Sequence, residues 1–190
     1  MPKPSTPPAR QRLLDAGLEL FTRQGFNATK VDQIISQADT KPPTLYRSYG
    51  GKDGVIVAAT DHFDHDLRQR LTDQLARHDN PRAKLLAVFD FLEGWLAERD
   101  WRGWLAANAA IEFTDPDHQV HQVVARHRQA LRGLFHDVAA TADARDPAVL
   151  AGQLQVLVDG AMIGAIIDRG PDQIRAARGQ VEILLRAAER

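Results

Sequence analysis

The sequence has 190 residues, 44% of them hydrophobic, and a formal net charge of −1; that is enough for one compact domain, or for a small module joined to a larger one, with an apolar core that needs no staples. Cysteine is absent, which excludes disulfides, thiolate catalysis and every zinc site built on cysteine. No uninterrupted apolar run reaches the roughly 18 residues of a membrane span, and the proline-rich opening "MPKPSTPPARQR" has no apolar core of a secretory signal, so a cytoplasmic protein is expected.

Charge divides the chain. Residues 1–53 hold eight Lys/Arg against five Asp/Glu, and the remainder sixteen against twenty. A mildly basic head on a mildly acidic body suits a polyanion-binding module carried by something else. Nearly every segment has helical period, and none shows the alternation of a half-buried strand. Residues 1–8 read as a disordered tail. Over 9–24, Leu14, Leu18 and Phe21 share a helix face, with Leu13, Gly17 and Leu20 beside it, and Gly25 ends the run. Val31, Ile34, Ile35 and Ala38 then repeat at i, i+3, i+4, i+7 behind Thr29 as N-cap.

Pro42 and Pro43 fit the first turn of a third helix, where a missing N–H costs nothing. That helix runs through "TLYRSY" to about Tyr49, and Gly50–Gly51 stop it. Lys52 and Asp53 open a long fourth helix with an inner stripe of Val55, Ala59, Phe63, Leu67, Leu71 and Leu75. Further helices are expected over about 81–99, within "WRGWLAANAAIEF", over about 116–143, from Asp146–Pro147 to about Ile167, and after Gly170–Pro171. The expectation is an all-α chain of about nine helices.

Two short helices joined by "ADT", the second with a polar, aromatic and basic outer face, have the layout of a helix-turn-helix whose second helix enters the DNA major groove. Phosphate contacts supply most of the affinity of such modules, which gives Lys, Arg, Thr, Ser and Tyr a role at the rim. Lys52 adds charge where the free N–H groups of a helix start already favour an anion.

"FNATKVDQIISQADTKPPTLYRSYGGKDGVIVAA" resembles the N-terminal signature of the TetR family of bacterial transcriptional regulators, through Phe26, Thr29, Val31, Ile34, Ala38, Thr44–Leu45–Tyr46, Tyr49 and Lys52. The signature spans about residues 10–60; the rest matches only in architecture. The resemblance implies a helix-turn-helix DNA-binding domain over 9–53 and a ligand-binding and dimerisation domain over 54–190. It implies a homodimer on a palindromic operator, a repressor released by a small-molecule inducer, and no cofactor. Position by position, Thr29 and Lys30 would meet phosphates, as would Tyr46, Ser48 and Lys52, while Thr40, Lys41, Pro42, Pro43 and Thr44 would lie along base edges. Arg47 fits a phosphate contact or a solvated ion pair, and Tyr49 fits the core.

Two positions depart from the family pattern. Asp39 stands where a glycine is usual, and either tolerates a left-handed backbone or caps the recognition helix. Pro43 stands where a small residue is usual and removes a donor from the reading surface.

In the body, Trp101, Trp104, Asn108 and Ile111 or Glu112 share a helix face. Some family members carry a similar Arg-Gly-x-x-x-x-Asn-x-x-x-Glu segment, with cysteine where Trp104 stands here. Phe89, Leu92, Trp95, Trp104, Asn108, Glu112 and His127 would supply the apolar lining and few polar groups of a ligand pocket. Plain core packing, with Asn108 and Glu112 facing solvent, is the other reading.

His62/His65 and His118/His121 sit at i, i+3 among Asp residues, yet such pairs on helices are ordinarily solvated, and no metal is expected. No nucleophile–base–orienter set is present, which argues against an enzyme. A helical carrier or scaffold that does not bind DNA is the alternative. The last two helices carry Leu154, Leu157, Ala161, Ala165, Val181 and Leu184, with Gly160 and Gly164 allowing close approach, as a dimerisation surface.

Overall fold

In a computed structural model, residues 7–101, 104–142 and 144–188 are described. Most of the expected tail, the Arg102–Gly103 step before the sixth helix, and Asp143 at the expected end of the seventh lie outside them. Among the described residues there are nine α-helices and no strand, as the periodicity required. They are α1 (Ala9–Gln24), α2 (Val31–Gln37), α3 (Pro42–Tyr49), α4 (Lys52–Leu75), α5 (Pro81–Ala97), α6 (Leu105–Glu112), α7 (Gln119–Thr141), α8 (Pro147–Asp168) and α9 (Asp172–Ala188).

The helix starts follow from local chemistry. Asn80 accepts a hydrogen bond from the Ala83 N–H, and Asp146 from those of Ala148 and Val149, each directly ahead of a proline in the first turn. The expected Thr29 cap on α2 is replaced. Lys30 is the capping residue, and its N–H donates to the Gln33 side chain at 2.8 Å. Trp101 does not share a helix face with Trp104 and Asn108, because α6 begins only at Leu105 and Trp101 holds a left-handed backbone, φ 57°.

The chain forms two compact units, Met1–Asp64 with Gly103–Ala125, and His65–Arg102 with Arg126–Arg190. The first has a core of Leu13, Leu20 and Phe21 from α1, Ile34 from α2, Leu45 from α3 and Val55, Ile56 and Ala59 from α4. Leu105 and Ala109 of α6 and Val120 and Val124 of α7 belong to the same core. The unit that contains the helix-turn-helix is therefore larger than residues 9–53.

In the second unit α9 packs along both α8 and α5. Its buried side chains include Leu71 of α4, Phe89, Leu92 and Trp95 of α5, Phe135 of α7, Leu150, Leu154 and Met162 of α8, and Ile174 and Val181 of α9. On the outside, Arg175 meets Glu93 at 2.6 Å and Arg178 meets Asp90 at 2.7 Å, joining α9 to α5. α8 is long and apolar enough, by length and composition, to cross a membrane. Its Leu150, Leu154, Val158, Met162 and Ala165 are instead buried within this unit, as in the core helix of a folded domain.

Candidate nucleic-acid interface

α2 and α3 have only seven and eight residues, too short to hold helical form in isolation. α1 holds them. Leu45 is the fully buried anchor of α3. At the far end of α3, the Tyr49 hydroxyl donates to the Arg10 carbonyl at 2.8 Å, and the Arg10 guanidinium lies 4.7 Å above the Tyr49 ring. Arg10 also donates to the Ser48 carbonyl at 2.9 Å. Burial pushes the Tyr49 phenol above its ordinary pKa, against an opposing pull from Arg10.

The turn between α2 and α3 is a Schellman motif. The Thr40 N–H reaches the Ile35 carbonyl at 3.1 Å and the Asp39 N–H the Ser36 carbonyl at 3.2 Å, with Asp39 left-handed at φ 46°. Of the two readings open for Asp39, the left-handed turn is the one adopted, because the N-cap of α3 is Lys41 and no side chain caps the helix. Arg12 of α1 then fastens the turn from outside, donating to the carbonyls of Ala38 (2.8 Å), Asp39 (2.9 Å) and Pro7 (2.9 Å).

What this scaffold leaves outward is a short basic and aromatic surface. Lys41, Pro42, Pro43, Tyr46 and Arg47 are exposed on α3, with Tyr46 at 56% relative exposure despite its ring. Lys30 is exposed at the start of α2, and Lys52 is half-buried in the first turn of α4. Pro42 and Pro43 have no N–H, and the Thr44 N–H is already given to the Lys41 carbonyl at 2.9 Å.

Comparison with known proteins agrees with this layout. The family model described as "Bacterial regulatory proteins, tetR family" matches residues 13–59. The HTH-type transcriptional regulator YjdC of Escherichia coli (strain K12) is 24% identical over 183 residues, 94% of each chain. The HTH-type transcriptional regulator BetI of Brucella anthropi is 27% identical over 129 residues, 66% of each. A TetR-family transcriptional regulator from Streptomyces coelicolor superposes with a TM-score of 0.88 at 29% identity, over 96% of this chain and 90% of that one.

Residues 13–59 match the TetR family, and along most of its length the chain is similar to transcriptional regulators of that kind. It is a transcriptional regulator with a DNA-binding helix-turn-helix domain, and not an enzyme.

Not every residue expected at the TetR-family DNA face can serve there. Thr29 is 1% exposed; its hydroxyl donates to the Gly25 carbonyl at 2.7 Å and accepts from Gln24, while its N–H bonds the Phe26 carbonyl. A side chain so enclosed cannot reach a phosphate, which corrects that expectation. The Thr40 hydroxyl is buried with no hydrogen-bond partner among the described residues, so it faces inward rather than along a base edge. Thr44 and Ser48 are half-buried.

The residues expected to line a ligand pocket divide between the two units. Phe89, Leu92, Trp95 and His127 are buried in the second; Trp104 and Asn108 are half-buried in the first. Glu112 is corrected outright. Its carboxylate accepts from the N–H groups of Phe26 (3.1 Å) and Asn27 (2.6 Å), an internal structural bond in place of a ligand contact. A groove of about 340 Å³ does lie within the second unit, between α4 and α5, lined by Arg70, Asp73, Arg77, Asp90, Glu98 and Trp95 among others. Its lining is mostly charged, and Trp95 alone of the expected set touches it.

His118 and His121 are also committed internally. His118 Nε2 lies 3.3 Å from Asp53, and His121 Nδ1 donates to the Phe113 carbonyl at 2.8 Å. His62 and His65 are exposed.

The expected dimerisation residues need a shift of register. Leu154, Ala161, Ala165 and Val181 are buried within their own chain and cannot be offered to a second one; Leu157 and Leu184 are partly exposed. The apolar side chains that do face outward are Val149, Val156, Ile163 and Ile167 on α8 and Ile183 on α9. Sequence reasoning also missed Arg10 and Arg12, whose partners are backbone carbonyls that no side-chain pattern reveals.

Proposed function

We propose that the protein is a ligand-responsive repressor that binds a palindromic operator as a homodimer and is released by a small-molecule inducer. What carries this reading is the outer face of α3, where Lys41, Tyr46 and Arg47 are exposed beside the two prolines, with Lys30 and Lys52 flanking. The cations are placed to meet phosphates on either side of a major groove. Tyr46, Thr44 and Ser48 add polar contacts at the rim. Lys41 and the two proline rings face the bases, the rings offering van der Waals contact to thymine methyls.

Pairing of two chains is supported by Val149, Val156, Ile163 and Ile167, which recur along one outward side of α8 beside Ile183 of α9. Exposed apolar side chains grouped along one helix side in this way suit a protein–protein contact. A two-fold axis through it would set two heads about 34–36 Å apart, one turn of duplex. The inducer would be held within the second unit, by the buried Phe89, Leu92, Trp95 and His127. α4 contributes side chains to both compact units and is the natural carrier of the signal. A regulator of this kind works in the cytoplasm, where the DNA is.

Selection of bound duplexes from random DNA, followed by salt titration, tests the reading. Three cations per head, Lys30, Arg47 and Lys52, amount to about six phosphate contacts per dimer. They predict a slope of log K against log[salt] of about −5. Lys52→Ala should reduce that slope to about −3.6 while leaving the sequence preference intact. Recovery of no common sequence, with no salt dependence, would mean a helical carrier in place of a repressor.

A further inference from the structure

Glu112 closes α6, yet its carboxylate is spent 85 and 86 residues away in the chain, on the turn that joins α1 to α2. Oε1 accepts from the Phe26 N–H at 3.1 Å and Oε2 from the Asn27 N–H at 2.6 Å, one oxygen to each donor. The turn is shaped to receive it. Gly25 is left-handed at φ 83°, and a Cβ there would stand 3.2 Å from Oε1. Only a carboxylate presents two acceptors and no donor to a pair of adjacent N–H groups.

The next residue makes a second connection. The Phe113 ring packs edge-on to the buried Phe26 ring at 5.8 Å and stacks on His118 at 4.8 Å. His118 in turn lies against Asp53, next to Lys52. The end of α6 thus touches the turn that leads to Lys30 on one side and, through His118, reaches Asp53 in the helix start that carries Lys52 on the other.

We infer that Glu112 is a positioning residue for operator binding: by tying down the Phe26 and Asn27 amides it fixes the α1–α2 turn, and with it the placement of Lys30 against the DNA. This rests on the DNA-binding reading of the α3 face. It also makes a prediction opposite in sign to simple electrostatics. Removing a negative charge from a DNA-binding unit should tighten binding if charge alone mattered. Loss of the tie should weaken it.

Glu112→Gln keeps the size of the side chain but turns an NH₂ toward one of the two N–H groups. Expected are faster hydrogen exchange at the Phe26 and Asn27 amides, read by NMR on the full chain, and operator affinity lower by about tenfold. The salt slope should stay that of the unaltered protein, because no phosphate contact is lost. Unchanged exchange at both amides, or operator binding as tight as before or tighter, overturns the inference. Should the Gln variant not fold, Glu112→Asp, with the same two acceptors on a stem one carbon shorter, decides by the same two measurements. Lys52→Ala serves as the control. If it too leaves DNA binding and salt slope unaltered, the DNA-binding reading has failed, whereas a response to Lys52→Ala without one to Glu112→Gln rejects the positioning role alone.

Discussion

Arg12 holds three carbonyls with one guanidinium, and two of them belong to the turn on which the recognition helix is hung. Hydrogen bonds from a charged donor are among the stronger ones. Arg12→Ala should cost about 1–2 kcal/mol in urea unfolding. Arg12→Lys should restore little of that, because an ammonium lacks the planar fork that reaches separate carbonyls. Asp39 bears on the same turn through its left-handed backbone. Asp39→Ala should lose roughly 1 kcal/mol, whereas Asp39→Gly, free of the Cβ penalty, should not. At Tyr49 the sign follows from burial. A phenol with a raised pKa lends stability that is complete below its unfolded value and is lost as pH climbs through the folded one. An alkaline fall in melting temperature that disappears in Tyr49→Phe is the expected signature. Some of these roles were legible in the residue order and some were not. Asp39 was flagged because only a few residue types accept that backbone region. Thr29 misled because a threonine ahead of an apolar repeat has the spacing of a cap, whereas its hydroxyl found the Gly25 carbonyl one turn back. Arg10, Arg12 and Glu112 bond to main-chain groups of distant segments, and a main-chain group leaves no mark on the pattern of side chains.

Helix ends and close approaches decide the next level. Gly54, in the first turn of α4, has the Tyr49 carbonyl so near that a Cβ would overlap its oxygen. Backbone cannot yield as a flexible side chain can. Gly54→Ala should therefore destabilise by about 3 kcal/mol or more and abolish DNA binding, as a thermal melt and a binding assay would show. Arg175→Ala on α9, by contrast, removes only a surface pairing with Glu93 and should leave the melting temperature nearly unchanged. The contrast separates steric fit from charge pairing as the determinant of helix placement. Helix boundaries were readable to within a residue or a few, because proline, asparagine, aspartate and glycine punctuate them. Which side of α8 faces inward was not readable. Leu154 and Val156, or Ala165 and Ile167, are equally apolar, and a helix that is apolar all round gives periodicity nothing to choose between.

At the level of the whole molecule, Val156 and Ile163 sit mid-way along the outward stripe of α8. Val156→Glu combined with Ile163→Glu should yield a monomer in sedimentation and leave the fold intact, since neither side chain is in the core. Affinity for a palindromic operator should fall toward that for a half-site. The all-α architecture was evident from the period of the sequence. The assembly of α6 and the first part of α7 with the DNA-binding helices was not, because it depends on Leu105, Ala109, Val120 and Val124 joining side chains from Leu13 to Ala59, far earlier in the chain. One practical rule comes from the front end of α1. The Pro7 carbonyl and the guanidinium groups of Arg10 and Arg12 all help to brace the reading helix or its turn. A fluorescent reporter or affinity handle spliced on ahead of Pro7 leaves those braces untouched. A junction even a few positions further in would cut them, and the fusion would carry a regulator that no longer grips its site.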